Sequence, residues 1–159
     1  MEQIHAESHR ATLEEEATHA TDEARMVLPG VQAILGFQLI AVFNQRFEEL
    51  SEGDQLLHLL AFFLVALAMG LVMTPAAYHR QVERGRVSRQ FVDLASLFLS
   101  LALVPLLLGV AVDAYILVRM VTQSALAGLW GALAVAAILA TLWFGLPQLL
   151  RLSQRPPDA

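Results

Sequence analysis

Apolar residues in this chain fall into four blocks, Met26–Phe43, Leu56–Met73, Phe91–Val112 and Ala125–Leu146, parted by short polar stretches. The blocks hold 18, 18, 22 and 22 residues. As helices rising about 1.5 Å per residue they reach about 27–33 Å, the thickness of a bilayer's hydrocarbon core. A buried helix of a water-soluble protein of that length keeps a polar face. These blocks keep none: the ionisable groups inside them are His58 and Asp93, both close to block ends. No stretch alternates in polarity as a membrane barrel strand does. A spanning segment must satisfy its own backbone hydrogen bonds, so helix follows. The pattern predicts an all-α polytopic membrane protein, its four transmembrane helices forming two hairpins in one bundle.

The polar segments divide the chain further. Residues 1–25 carry seven acids and two arginines, 26–150 hold the four spans, and 151–159 form a tail containing Pro156-Pro157. An acidic start is the opposite of a secretory signal, so the first segment is expected to be retained. Within it Thr12 and Glu15 have the spacing of a capping box, and Leu13, Ala17, Ala20 and Ala24 recur at helical spacing. A short, weakly amphipathic cytoplasmic helix preceding the first span is expected here. Pro29 is read as a kink or first turn at the entry to that span.

Composition sharpens this picture. Hydrophobic residues make up 57% and charged residues 16% of the 159 residues, against roughly 45–50% and about 25% in an average soluble domain. Cysteine is absent, which removes disulfides, thiolate metal sites and cysteine nucleophiles. All ten basic residues are arginine. Arg10, Arg25, Arg80, Arg84, Arg86, Arg89, Arg151 and Arg155 fall on one side of a four-span protein, and Arg46 and Arg119 on the other. Eight against two predicts both termini on the cytoplasmic side, and a basic set made of arginine alone is the bias of a GC-rich bacterial genome, which points to a bacterial inner membrane. The acids Glu48, Glu49, Glu52 and Asp54 then lie outside.

Polar groups in or beside the spans are the usual pointers to function in a membrane protein. Gln32 and Gln38 are candidates for lining a ligand or ion path, with an interhelical hydrogen bond as the plainer alternative. They stand about 120° apart around the helix and share no stripe. His58, near the outer interface, has no partner at helical spacing within its span, although Asp54 stands one turn before it. Asp93, Ser96 and Ser100 share a face, and Arg89 precedes Asp93 by one turn, correctly spaced for an ion pair. Gly128, Ala132, Ala136 and Ala140 form a small-residue ridge suited to close helix packing, within the bundle or between protomers. Tyr78, Tyr115, Trp130 and Trp143 lie near span ends, as in an aromatic belt.

The span midpoints fall near Leu35, Val65, Ala102 and Ala136, and no ionisable residue lies within a turn of any of them. Coupled transporters usually hold such a group there. No cluster of metal-ligand residues, phosphate-cradling glycine loop or nucleophile–base pair stands out. The sequence therefore predicts no enzyme and no cofactor. Its partners are the lipid bilayer and either further copies of itself or another membrane protein, and not nucleic acid.

Three stretches carry a resemblance: Asp22-Glu23-Ala24-Arg25-Met26-Val27-Leu28-Pro29-Gly30-Val31-Gln32, Phe43-Asn44-Gln45-Arg46-Phe47-Glu48-Glu49-Leu50 and Thr74-Pro75-Ala76-Ala77-Tyr78-His79-Arg80. Together they resemble a family of small bacterial four-span membrane proteins, common in actinobacteria, known only as a domain of unknown function. The resemblance runs over roughly residues 22 to 150. The family usually has Leu where this chain has Ala24. It implies fold and location and brings no functional residue. The leading expectation is an integral membrane protein acting by oligomeric assembly or as an accessory subunit. A homo-oligomeric channel lined by Gln38 and Ser100 comes second. A small-molecule exporter comes third, because the usual membrane-embedded acid near mid-span is missing.

Overall fold

The computed structural model describes residues 2–82 and 88–153, and among them every long element is a helix. Helix α1 runs Glu2–Val42, α2 is the single turn Gln45–Glu48, α3 runs Glu52–Val82, α4 Arg89–Thr122 and α5 Ala125–Ala140. A five-residue π-helical turn, Thr141–Gly145, joins α5 to α6, Leu146–Ser153. Four stretches are long and apolar enough to cross a membrane: Thr12–Val42, Glu52–Val82, Arg89–Thr122 and Ala125–Leu152. Helices α1, α3 and α4 pack on one another, while α5 packs on α4.

The helices outrun the apolar blocks. The acidic N-terminal segment is helical, but it continues into the first span with no break. Thr12 and Glu15 lie inside α1 and not at its start, and Pro29 sits in the helix interior. Likewise α3 continues through Thr74 and Pro75. The 31 residues of α3 and 34 of α4 reach about 46 and 51 Å. The extra turns stand at opposite ends, α3 running on past Met73 at the arginine-rich end and α4 past Val112 at the other, and at the arginine-rich end α3 and the start of α4 pack on the polar part of α1. There Ala17, Phe91 and Val92 form a small core with Tyr78 against it. That packing is why α1 need not break where the apolar block begins. Arg84 and Arg86 lie outside the described residues, as does Arg155.

Helix starts follow local chemistry. The hydroxyls of Ser88 and Ser124 accept hydrogen bonds from the backbone N–H of Phe91 (3.2 Å) and Ala127 (3.3 Å), capping α4 and α5. Gln123 ends α4 in the left-handed conformation, φ 54°, so α4 and α5 turn back on each other over two residues. They then approach closely. A Cβ at Gly128 would stand 2.9 Å from the Tyr115 carbonyl, and one at Gly131 2.7 Å from Val118 Cγ2. Gly128 is buried and Ala132 and Ala136 are half-buried, whereas Ala140 is exposed. The ridge read from sequence thus serves contact within the protomer, joined by Gly131, and Ala140 falls off it where the π turn begins.

The buried positions of α3 are Asp54, His58, Ala61, Val65, Ala68, Val72 and Pro75, spaced alternately four and three residues apart. That is the 3.5-residue period of helices wound left-handedly with knobs in holes. Helix α1 repeats it: Ala17, Ala20, Val31 and Gln38 are buried and Ala24, Val27 and Ile34 are partly buried between them. On α4 the same stripe runs Ala102, Leu106, Gly109, Asp113 and Ile116. Its tightest point is Gly109, where a Cβ would meet Val65 Cγ2 at 2.7 Å. Val31, Val65, Ala68 and Leu106 form the central core, with Trp143 turned in against it. Tyr78 and Tyr115 also pack inward, so of the four expected belt aromatics Trp130 is the one that is largely exposed.

Candidate functional site

Following the three stripes to the end opposite the arginine-rich one, apolar residues give way to polar ones on α1, α3 and α4. Gln38, Asp54 and His58 are only 4%, 5% and 8% exposed. Groups so buried must be hydrogen-bonded or are costly, and here they bond between helices.

The outer of two clusters is balanced. Asp54 on α3 accepts from Arg119 on α4 and from the Ser51 hydroxyl (2.7 Å). The Arg119 guanidinium also reaches the Tyr115 hydroxyl at 3.3 Å and lies 5.9 Å from that ring's centre. One cation faces one anion, and the carboxylate's remaining oxygen has a donor. The Asp54–His58 contact allowed by spacing is replaced by this pair, because both side chains turn from α3 to different residues of α4. A polar recess of about 420 Å³, edged by Arg46, Glu49, Ser51 and Gln123, opens onto Asp54 and Arg119.

One turn deeper the second cluster joins three helices. Gln38 Nε2 on α1 donates to Asp113 Oδ2 on α4 at 2.7 Å. His58 Nε2 on α3 lies 2.9 Å from the Gln38 carbonyl oxygen. That oxygen can only accept, so Nε2 carries the ring hydrogen. The other ring nitrogen, Nδ1, faces Asp113 Oδ1 at 3.8 Å, beyond hydrogen-bond length. Gln38 Oε1 is buried and has no hydrogen-bond partner. Phe47, from α2, packs edge-on to the His58 ring, the centroids 5.3 Å apart. Gln55 holds that turn by donating to the Phe47 and Leu50 carbonyls. A recess of about 240 Å³ reaches His58 and Asp113 past Asn44 and Arg46.

The sequence candidates part company here. Gln38 and His58 are brought together. Gln32 is exposed on the outer side of α1, and Ser100 is exposed beside Val27 and Leu103. Ser100 lies 13 residues, or about 20 Å, along α4 from Asp113, so Gln38 and Ser100 line no common path within the protomer. At the other end Arg89 Nε lies 3.5 Å from Asp93 Oδ1, and Nη1 bonds Glu16 on α1 at 2.8 Å. All three are substantially exposed, where such pairs contribute at most about 1 kcal/mol. Asp113, Arg119 and Asp54 were missed as members of a site. Asp113 directly follows the third apolar block and so escaped a search within the blocks. The 3.5-residue stripe is the signal that finds it.

No curated protein and no solved structure matches the chain. Residues 6–147 match the model described as "Family of unknown function (DUF6328)", and this four-span integral membrane protein therefore belongs to that family.

Proposed function

We propose that the protein is not an enzyme and works through its membrane-embedded helices, as a self-assembling unit or an accessory subunit of the bacterial plasma membrane. The observation that carries this reading is the unequal attachment of the helices. Helices α1, α3 and α4 are tied by buried polar contacts, whereas α5 spends its small-residue face on α4 alone. Leu126, Leu129, Trp130, Leu133 and Ile138 are each about half or more exposed on the rest of α5. That perimeter offers a broad apolar surface for a second protein in the bilayer, where helix association rests on packing. The arginine distribution supports cytoplasmic termini, which places the polar clusters on the outer side.

Mass measurement of the purified protein in lipid nanodiscs tests assembly. A defined oligomer that a bulky residue at Leu133 disperses supports the reading. A monomer that also captures no membrane partner after cross-linking in the native membrane defeats it. The chain lacks cysteine, so single cysteines at Ser51 and Gln123 report orientation. Labelling of both by an impermeant reagent added outside intact cells is expected, and protection of both would reverse the topology.

A ring of four or more would favour a channel, with its pore between protomers. The protomer's own axis is filled by Val65 and Ala68, each fully buried. An exporter gains a membrane-embedded acid in Asp113, yet that acid lies about 16 Å along α4 from the mid-span residue Ala102. A group so near one end is poorly placed for alternating access.

A further inference from the structure

The two polar clusters balance differently. Around Asp54 every strong group has its opposite. Around Asp113 the acceptors outnumber the donors. The donors are the His58 Nε2–H and the Gln38 amide. The acceptors are the Gln38 carbonyl, Gln38 Oε1, both Asp113 oxygens and the lone pair of His58 Nδ1. Two of these, His58 Nδ1 and Asp113 Oδ1, stand 3.8 Å apart, so a neutral ring beside an ionised carboxylate has no hydrogen between them, and Gln38 Oε1 is left without a partner. Buried acceptors that face one another are repulsive, and one added donor removes the conflict.

We propose that Gln38, His58 and Asp113 form a proton-binding site, in which one proton taken up between His58 Nδ1 and Asp113 Oδ1 fastens α1, α3 and α4 together. The proton comes from water in the recess. An N–H bond forms at Nδ1, the imidazolium donates to the carboxylate, and no other covalent bond changes. A charge-assisted N–H···O bond is about 2.7–2.9 Å long, so ring and carboxylate close by about 1 Å. His58 then donates from both nitrogens, to α1 through Nε2 and to α4 through Nδ1.

The surroundings favour a proton over a larger ion. A sodium ion prefers several oxygen ligands, and one wall here is an imidazole nitrogen and another the Phe47 ring. The charged and titratable groups around the pair are few. Arg46 lines the recess beside Asn44. On α3, Glu52 and Asp54 precede His58, and Asp54 is held by Arg119. On α4, Tyr115 and Arg119 follow Asp113, and α5 contributes none. Two recesses reach the cluster, one past Asn44 and Arg46 and one along the flank between α1 and α3 at Leu39, Leu59 and Phe62. Beyond the pair the helices close on Ala61, Val65 and Ala68, all fully buried. The site takes a proton from one side and passes none across.

The test is ¹⁵N NMR of histidine-labelled protein in nanodiscs, with the His58 signal identified by its loss in His58→Gln. The expected result is an Nε2–H neutral ring at high pH that becomes doubly protonated on acidification. The midpoint should be the same in sodium and in a bulky organic cation. Asp113→Asn removes the carboxylate while offering an amide donor to Nδ1, so it should weaken proton uptake at His58 about 10- to 1,000-fold. The folded wild type then holds a proton that the unfolded chain releases, so its melting temperature should fall as pH rises through the midpoint. Asp113→Asn should flatten that dependence. Three results overturn the proposal: a ring neutral throughout, a midpoint unchanged by Asp113→Asn, or one that moves with sodium at fixed pH. A proton taken up with no change in melting overturns the fastening of the helices. Should Asp113→Asn fail to fold, the wild-type ring shifts and their indifference to sodium decide alone.

Discussion

Arg119→Met isolates the cost of a buried, unpaired carboxylate. In the native protein Asp54 is 5% exposed and its charge is met by Arg119 and the Ser51 hydroxyl. Methionine keeps the aliphatic bulk packed near Ile116 and Met120 but leaves the carboxylate with one neutral donor. Removing one partner of a buried pair costs about 3–5 kcal/mol. The Arg119 side chain is 35% exposed and Ser51 remains, so the lower end, about 3 kcal/mol, is expected. For a chain of this size about 1 kcal/mol moves the melting temperature by 2–4 °C, which predicts a fall of about 6–12 °C. The double variant Asp54→Leu, Arg119→Met removes both charges and should recover to within about 1 kcal/mol of wild type. It still forfeits an acid in the first turn of α3, a loss of about 0.3–1 kcal/mol. The assay is thermal loss of helical ellipticity in one fixed detergent. A single variant as stable as wild type, or a double variant no better than the single, would refute the claim that burial sets the cost.

Two further comparisons probe the stripes. Gly109→Ala places a methyl 2.7 Å from Val65 Cγ2 and 3.2 Å from the Ala61 carbonyl. It should lower stability by about 1–3 kcal/mol, while Gly30→Ala, with nothing within 4 Å, should be neutral or gain up to about 1 kcal/mol in the same melting assay. Gln38→Leu deprives the Asp113 carboxylate of its donor and should cost about 1.5–3 kcal/mol. Gln32→Leu, on the exposed side of α1, should leave the melting temperature unchanged, and equal effects at the two glutamines would show that burial does not separate them.

How much of this was legible in the chain depends on which physical signal carried it. Hydrophobicity averaged over a block finds a span because a bilayer tests every face of a helix alike, so all four spans could be read from Met26 to Leu146. Helix ends were harder, since α1 and α3 continue into water where packing, such as Ala17 against Phe91, replaces hydrophobicity as the stabilising term. Averaging also hides which face is buried. Gln32 and Gln38 look equivalent by composition and depth, and only the stripe through Ala24, Val27, Val31 and Ile34 selects Gln38. The partner of a polar residue on another helix is a tertiary fact. Spacing allowed Asp54 to meet His58 one turn on, and the fold instead turns Asp54 to Arg119 and His58 to Asp113.

The placement of these groups bears on why the stripes end in polar residues at all. An apolar seam continued to Gln38, His58 and Asp113 would pack α1 onto α3 and α4 equally well at every pH. In a bilayer it would also specify register weakly, because leucine is as content against lipid as against a neighbouring helix. The Asp54–Arg119 pair sets the register of α3 against α4 irrespective of pH, since it is complete as it stands. The adjoining cluster leaves the hold on α1 to the Gln38 amide and to a histidine one proton short of bonding both neighbours. Helix α1 is also the one whose long N-terminal extension rises beyond the opposite end of the bundle, anchored to α4 through Glu16 and Arg89. As Asp113 closes on His58, the Gln38 amide bonded to that carboxylate draws α1 with it while the core at Val31 stays packed, so α1 acts as a lever with a fixed middle. Protonation at His58 should therefore be felt at the Glu16–Arg89 contact. A spin-label pair across that contact, at Glu15 and Gln90, should narrow its distance distribution on acidification in wild type. It should stay fixed in Asp113→Asn, and a distribution indifferent to pH in both would confine the effect of the proton to the far end.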